Sequence, residues 1–171
     1  MTDIKGIMPS LQFMLQRAND DAPVTERSYR GKIAVLYFGY THCPDVCPTT
    51  LSNLSVALNA MGDEAKKVRV LFISVDPNRD SVPVLKAYVN AFAPQIDGLR
   101  GTPNQVADLA RRYRVAYSVT PEAAGQPYEV SHSNGVYFFD EKGKARFVNM
   151  DTSNKDALVQ TIRYLIDSTG D

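Results

Sequence analysis

Two long apolar runs constrain the fold of this chain more than any other feature of its sequence. Residues 33–39 (IAVLYFG) and 68–75 (VRVLFISV) are rich in β-branched and aromatic side chains, which is typical of strands buried on both faces. The segment between them carries one apolar helical face, formed by Leu51, Leu54, Leu58 and Met61. A strand, a helix and a second strand in this order predict a β-α-β unit with two parallel strands.

Further elements follow the β-α-β unit. Helical apolar spacing recurs over residues 82–92, 106–113 and 158–166, and the segments GVYFFD and ARFVNM predict two strands joined by a turn at EKGK. A short strand near residues 115–119 and an N-terminal hairpin over the core complete the prediction. This order predicts an α/β fold in which helices cover both faces of a central sheet. The length of 171 residues predicts a single domain spanning 1–171.

The composition excludes several classes of partner. The 19 Lys and Arg residues balance 19 Asp and Glu residues, so the chain lacks the net field that attracts nucleic acid or an anionic membrane surface. No apolar run reaches the roughly 20 residues that a membrane-spanning helix needs, and the first residues lack the apolar core of a signal peptide. We therefore expect either a cytosolic protein or one whose anchor or leader is absent from this sequence.

The scarce reactive residues cluster in the motif THCPDVCPTT, where the first buried strand turns into a helix. The chain has two cysteines and two histidines, and His42, Cys43 and Cys47 all lie in this motif. A helix that starts at Pro44 would place both sulfurs on one face, about one turn apart. Pro48 suits the first helical position better, which makes Cys47 the cap and places Cys43 in the preceding turn.

The start of a helix also affects the chemistry of the thiols. Free N–H groups and the positive end of the helix dipole favour thiolate, which is a nucleophile or a soft metal ligand, although Asp45 adds an opposing negative charge. Two cysteines that fill a core or form an inert disulfide are the alternative, but buried structural cysteines do not need an exposed helix end. A structural zinc site would need two further ligands at knuckle spacing, which the two histidines do not provide.

Two residues outside the motif are candidates for the same site. His132 precedes the strand GVYFFD, and pairing of that strand beside the one that ends at the cysteines would bring an imidazole towards two thiolates, a donor set suited to copper. A hydrogen-bonded surface histidine is the alternative. Asp76 follows the second buried strand and is either a helix cap reinforced by Pro77 or a carboxylate that orients His132 or tunes the cysteines. His42, adjacent to Cys43, is expected to face solvent or to cap a turn.

These motifs resemble the Sco (SenC) family, the thioredoxin-like copper chaperones of cytochrome c oxidase assembly. The match runs from GIMPSLQF through YRGKIAVLYFGYTHCPDVCPTTL and FISVDPNRDSVPVLKAYVNAF to YEVSHSNGVYFFDEKGK, and so spans nearly the whole chain. The resemblance implies a thioredoxin-like fold with an N-terminal extension and an inserted hairpin or helix. It also implies that Cys43, Cys47 and His132 bind copper, as Cu(I), Cu(II) or both, and that Asp76 supports these ligands without binding the metal.

The resemblance also implies partners and a location. Copper would pass to the dinuclear copper site of a cytochrome c oxidase subunit, and another copper chaperone or a thioredoxin-like reductant would serve the same site. We expect a monomeric, soluble domain, anchored to a membrane by a segment absent from this sequence. The expected location is the periplasmic face of a bacterial inner membrane, with the mitochondrial intermembrane space as the alternative. A metal carrier need not turn over, so enzymatic activity is not expected.

A thiol-disulfide reductase acting on the oxidase subunit or on other exported proteins is the alternative function, with Cys43 and Cys47 as its redox pair. A thioredoxin-type oxidoreductase usually has two residues between its cysteines and a proline before the facing strand, whereas this chain has three residues and a Ser-His pair. A peroxiredoxin would carry threonine three residues before its reactive cysteine, where this chain has Tyr40 or Pro44. The sequence therefore favours copper delivery over both redox functions.

Overall fold

The computed structural model describes residues 1–43, 46–120, 129–132 and 135–168, with the backbone alone at 46, 119–120 and 129–132. The strands are β1 (Thr2–Asp3), β2 (Met14–Arg17), β3 (Ala22–Thr25), β4 (Ile33–Gly39), β5 (Val68–Ser74), β6 (Ile96–Arg100), β7 (Tyr117–Thr120), β8 (Glu129–His132), β9 (Val136–Phe139) and β10 (Ala145–Asn149). The α-helices are α1 (Val46–Met61), α2 (Val82–Asn90), α3 (Pro103–Arg112) and α4 (Lys155–Asp167). Strands and helices alternate through the middle of the chain, as the α/β prediction requires.

A mixed sheet forms the centre of the fold. Among the described residues, eight strands are hydrogen-bonded in the order β1-β10-β9-β4-β5-β6-β2-β3. Strand β5 runs parallel to both β4 and β6, whereas β9 runs antiparallel to β4. The two apolar runs are thus neighbouring central strands, and every residue of β4 is buried. This arrangement confirms the predicted β-α-β unit.

Helices lie on both faces of the sheet, as predicted. On one face, the ring of Phe72 in β5 meets the ring of Tyr88 in α2, with centroids 5.6 Å apart. On the other face, Tyr113, which follows α3, packs against Tyr137 of β9 with centroids 5.8 Å apart. The strand register separates these two faces, because Phe72 and Tyr137 are aligned with successive residues of β4, whose side chains alternate in direction. Helices α1 and α4 pack against each other.

Strand β6 corrects the prediction of two consecutive helices after β5. Its sequence, IDGLR, contains Asp97 and Gly98, two residue types that are depleted in strands. Asp97 is nevertheless buried, because the Tyr29 hydroxyl donates a hydrogen bond to it at 2.7 Å and Arg69 forms an ion pair with it. Gly98 makes room for Leu85 of α2, whose Cγ lies 2.6 Å from the place that a Cβ would occupy. Tertiary contacts therefore override the weak local strand signal.

The two hairpins that flank the core take different positions. Strands β2 and β3 form the expected N-terminal hairpin, but it extends the sheet beside β6 rather than covering the core. The reason is β6 itself, which offers an outer edge that β2 pairs with. The predicted short strand near residues 115–119 is β7, and it pairs with β8 in a separate two-stranded sheet. This second hairpin is the inserted element, and residues 121–128 between its strands lie outside the described residues.

Within the described ranges, no helix combines the length and the apolar character required to cross a membrane. The division of the chain into one domain spanning residues 1–171 stays a prediction.

Candidate metal centre

The carboxyl ends of β4 and β5 form the edge of the sheet that carries the cysteines. The two strands finish together, with Gly39 in register with Ser74. The Val75 N–H donates to the Gly39 carbonyl at 2.9 Å, which extends this alignment beyond the strands. Cys43 follows β4 and Asp76 follows β5. The predicted placement of Asp76 at the same edge as the cysteines is therefore confirmed.

Helix α1 begins at Val46, two residues before the start predicted from Pro48. Cys47 therefore lies inside the first turn, so the prediction that it caps the helix is wrong. Pro48 is tolerated as the third helical residue because the first four N–H groups of an α-helix have no partner within the helix. The missing N–H of proline limits the start of the helix to a few positions and does not select one of them.

The two cysteines are hydrogen-bonded at the start of α1. The Cys47 N–H donates a hydrogen bond to the Cys43 Sγ over 3.4 Å. Neither residue forms a disulfide, and Cys43 is partly buried whereas Cys47 is 0% exposed. Gly39 makes room for the buried sulfur, since a Cβ at that position would lie 2.7 Å from the Cys47 Sγ. The result is one partly exposed cysteine beside one buried cysteine.

Burial dominates the ionisation of Cys47. Its removal from water raises the pKa of the thiol to about 12, and a hydrogen bond with the Tyr40 backbone opposes this rise only in part. The inference that the helix start favours thiolate is therefore wrong for Cys47 in the metal-free protein. A metal ion that binds this sulfur has to displace its proton.

Aromatic side chains line the inner side of the site. The rings of Tyr37 and Phe72 have centroids 6.1 Å apart, and Phe72 also contacts Tyr88. Burial raises the pKa of both tyrosines, and the neighbouring Cys47 acts in the same direction. This lining excludes water from the Cys47 side, so access to the sulfur pair is from the side of Cys43.

Asp76 has a structural partner at this edge. Its side chain is fully buried, and its Oδ2 accepts a hydrogen bond from Arg79 Nε at 2.7 Å. Its carbonyl accepts the Asp80 N–H at 2.9 Å. These contacts build the turn that precedes α2, but the N-cap of that helix is Ser81, so the interpretation of Asp76 as the helix cap is wrong. An effect of Asp76 on His132 or on the cysteines stays a prediction.

Asp80 is a second buried carboxylate at this edge, which the sequence analysis did not identify. Ligand atoms of His42, Asp76 and Asp80 lie within 4.8 Å of one another. The carboxylates already accept hydrogen bonds from Thr41 and Arg79, so we assign no metal to this cluster. His42 lies 4.0 Å from Asp80 with 51% of its side chain exposed, which confirms that it faces solvent. The sequence feature that could have indicated Asp80 is the second aspartate of the turn VDPNRD, four residues after Asp76.

His132 ends strand β8 of the inserted hairpin. Its backbone is in register with Tyr117, and its side chain lies outside the described residues. Strand β9 begins shortly afterwards at Val136, which pairs with Tyr37 near the end of β4. The segment that follows His132 thus joins the sheet beside the strand that leads to the cysteines, as predicted. Contact between the imidazole and the sulfurs stays a prediction.

The donor atoms at this edge suit a soft cation. The Cys43 sulfur, in the turn before α1, accepts the N–H of Cys47 in the first turn of that helix, and Cys43 is only partly buried. Thiolate selects Cu(I) among biological metals, and imidazole suits copper in either oxidation state. With only two cysteines in the chain, a site of low coordination number fits better than a four-sulfur site. The residues present therefore fit copper.

Comparisons with known proteins identify relatives over most of the chain. A family model described as SCO1/SenC matches residues 10–167. The mitochondrial protein SCO2 of Saccharomyces cerevisiae is 41% identical over 124 residues, which cover 71% of this chain and 41% of that protein. The chain spans about half the length of the curated relatives it matches.

Solved structures share the fold of the chain. Copper-bound ScoI from Arabidopsis thaliana has a TM-score of 0.82 and 36% identity, with 92% of this chain and 98% of that chain covered. Copper-bound ScoI from Bradyrhizobium japonicum has a TM-score of 0.82 and 35% identity, with 92% and 99% covered. These matches confirm the predicted thioredoxin-like fold. Since the family model covers nearly all of the sequence, the chain belongs to the SCO1/SenC family.

Proposed function

We propose that this chain binds one copper ion between Cys43, Cys47 and His132 and delivers it to the dinuclear copper site of a cytochrome c oxidase subunit. The observation that carries the proposal is the proximity of two cysteines that form no disulfide, with the Cys47 N–H donating to the Cys43 sulfur over 3.4 Å. The two ScoI structures add support because both are of copper-bound proteins. Copper is the cargo of this protein, so the site has to hold the ion and also release it.

Each proposed ligand has its own role in such a carrier. Cys47 is fully buried and supplies a sulfur whose position the surrounding core determines. Cys43 is partly exposed and supplies the sulfur that a ligand of the recipient displaces. His132 supplies an imidazole nitrogen, which suits both Cu(I) and Cu(II). Three protein ligands leave room for an incoming ligand, so transfer proceeds by exchange of one ligand at a time.

The proposed location is the side of the membrane on which the oxidase acquires copper, the bacterial periplasm or the mitochondrial intermembrane space. The yeast relative is a mitochondrial protein. The oxidase subunit is the proposed recipient, and a second copper protein is the proposed donor.

Thiol-disulfide reduction is the second candidate function, and the unequal exposure of the two cysteines favours it, since Cys43 is partly exposed and Cys47 is buried. The accessible Cys43 sulfur would attack a substrate disulfide and form a mixed disulfide, releasing one substrate thiolate. The buried Cys47 sulfur would then attack Cys43 and release the second thiolate. The substrate gains two electrons, and the chain is left with a Cys43–Cys47 disulfide.

A single substitution separates the two functions. Dithiol exchange needs both cysteines and no remote imidazole, whereas a three-ligand copper site loses one ligand in His132→Ala. We expect this variant to bind copper more weakly and to transfer less of it to a recipient domain with a dinuclear copper site. The absorption of the recipient's copper site measures the transfer. Its cysteines should still cycle between dithiol and disulfide, whereas Cys43→Ser should lose both activities.

The opposite result would replace the proposal. Copper binding and transfer at the parent level in His132→Ala, together with failed thiol exchange, would make His132 a proton-transfer residue of a reductase. An oxidase-assembly assay in cells that carry the same variants shows which activity the oxidase requires.

A further inference from the structure

Asp80 is a buried carboxylate beside the cysteines that the proposed ligand set does not use. Its side chain is 0% exposed. It differs from Asp76, whose carboxylate pairs with the guanidinium of Arg79. The Asp80 carboxylate instead accepts hydrogen bonds from three uncharged donors, two on Thr41 and one on Ser74. A buried charge with this many neutral donors holds those donors strongly, because each bond is charge-assisted.

These hydrogen bonds join two segments that are distant in the sequence. The Thr41 N–H and Oγ1 donate to Asp80 at 3.1 Å and 2.6 Å. The Ser74 hydroxyl, at the end of β5, donates to Asp80 at 2.7 Å. The carboxylate thus links the segment after β4 to the end of β5.

Thr41 belongs to the turn that presents Cys43. The Cys43 N–H donates to the Tyr40 carbonyl at 3.3 Å, which closes a four-residue turn with Thr41 at its second position. Asp80 binds both the backbone and the side chain of this Thr41. The orientation of the turn relative to the sheet is therefore set by Asp80.

Two hydrogen bonds to the main chain of Asp80 hold this residue in place. Its N–H donates to the Asp76 carbonyl at 2.9 Å. Its own carbonyl accepts a hydrogen bond from Arg100 Nε at 3.1 Å. Arg100 ends strand β6, so this hydrogen bond anchors the main chain of Asp80 to the end of that strand.

We propose that Asp80 is a positioning residue that holds the turn of residues 40–43 and so sets the position of the Cys43 sulfur relative to Cys47. It acts through Thr41. A held turn keeps the two sulfurs near one another, which favours every reaction that needs both at once. The copper measurement below rests on the proposed function, whereas the redox measurement depends only on the two cysteines.

Four variants of the full chain test this role. Thr41→Val removes the hydroxyl donor at nearly constant volume, and Thr41→Ser keeps it. Asp80→Asn removes the charge. Asp97→Asn is the matched control, because Asp97 is another buried carboxylate, 1% exposed, on strand β6. Its partners are Tyr29, Arg69 and Arg17, and none of them belongs to the turn that presents Cys43.

We expect Thr41→Val and Asp80→Asn each to weaken copper binding about tenfold, the lower end of the range for groups that orient metal ligands. The equilibrium constant for oxidation of the Cys43–Cys47 pair by glutathione disulfide should also fall about tenfold, which raises the reduction potential by about 30 mV. In that equilibrium the dithiol loses two electrons and two protons, and two glutathione thiols form. Thr41→Ser should keep both parent values. Asp97→Asn should lower thermal stability without changing either value.

Two results would overturn the inference. One is parent-like copper affinity and reduction potential in Thr41→Val, whether or not Asp80→Asn folds. The other is an equal change in Asp97→Asn, which would show that general loss of stability causes the effect. If the parent chain binds no copper, the proposed function fails, and the reduction potentials still decide the role of Asp80.

Discussion

At the scale of single residues, the contact between the Cys47 sulfur and the backbone of Gly39 determines how the site is built. Cys47 is fully buried because Gly39 has no side chain to oppose it. The depth of the sulfur in turn controls its pKa. Two predictions follow from this contact, one for packing and one for pH.

Replacing Gly39 by alanine should affect stability and the metal site together. The new Cβ would lie 2.7 Å from the Cys47 Sγ and 2.6 Å from the Phe72 ring, and overpacking of a core usually costs about 1–3 kcal/mol of unfolding free energy. Urea unfolding measures this cost, and copper titration measures the effect on the site. Gly98→Ala is the matched control, because Gly98 lies on β6 and a Cβ there would meet the Leu85 side chain of α2 at an equally short 2.6 Å. Equal copper affinities in the two variants would contradict the predicted role of Gly39.

Copper uptake by the reduced protein should become tighter as the pH rises. Burial raises the pKa of Cys47 to about 12, so its thiol is protonated at neutral pH and copper has to displace that proton. A higher pH favours loss of the proton, and this one group contributes about a tenfold gain in affinity per pH unit. Competition titrations at several pH values between about 6 and 9 measure the slope. An affinity that does not change with pH would show that Cys47 is not a ligand.

At the scale of elements, the two N-caps of α2 and α3 should differ in their contribution to stability. The Thr102 side chain accepts the Gln105 N–H at 3.2 Å, and the Gln105 side chain accepts the Thr102 N–H at 2.9 Å. Ser81 caps α2 without a side-chain hydrogen bond to the helix. Thr102→Ala should therefore lower the unfolding free energy by about 1 kcal/mol, and Ser81→Ala by clearly less.

Thermal or urea unfolding of both variants tests this difference. Copper binding should stay at the parent level in Thr102→Ala, because α3 packs on the face of the sheet opposite Phe72 and Tyr88. Equal losses of stability in the two variants would contradict the assignment of the caps.

The elements with strong apolar periodicity could be predicted from the sequence, and those stabilised by distant contacts could not. The buried strand β4 and the closing helix α4 follow directly from their apolar patterns. Strand β6 does not, because Asp97 in it is compatible with burial only when Tyr29 and Arg69 are brought to it by the fold. The start of α1 is uncertain from sequence for a similar reason, since Pro48 fits any position of the first turn.

The candidate site also has features that could be predicted from the sequence and features that could not. Cys43 and Cys47 are recognisable because two scarce, reactive residues flank a strand-to-helix turn. The high pKa of Cys47 could not be predicted, because it depends on the depth that Gly39 permits. Asp80 was missed because a carboxylate in a polar turn normally indicates solvent exposure, and only the packed sheet edge shows it buried.

At the scale of the whole molecule, the sheet brings residues from separate parts of the chain to one edge. Strands β4 and β5 end together there, and β9 begins there. Open α/β folds place their sites at the carboxyl ends of parallel strands, and this chain follows that rule. We expect one copper ion to bind at this edge, with His132 as its nitrogen ligand.

A copper titration of the parent and two histidine variants tests this claim most directly. The parent should bind one Cu(II) per chain with a sulfur-to-copper charge-transfer band and nitrogen hyperfine coupling in its electron paramagnetic resonance spectrum. His132→Ala should lose the nitrogen coupling and much of the affinity. His42→Ala, which alters the only other histidine of the chain, should match the parent. A parent-like spectrum in His132→Ala with loss of coupling in His42→Ala would contradict the account and move the metal towards Asp76 and Asp80.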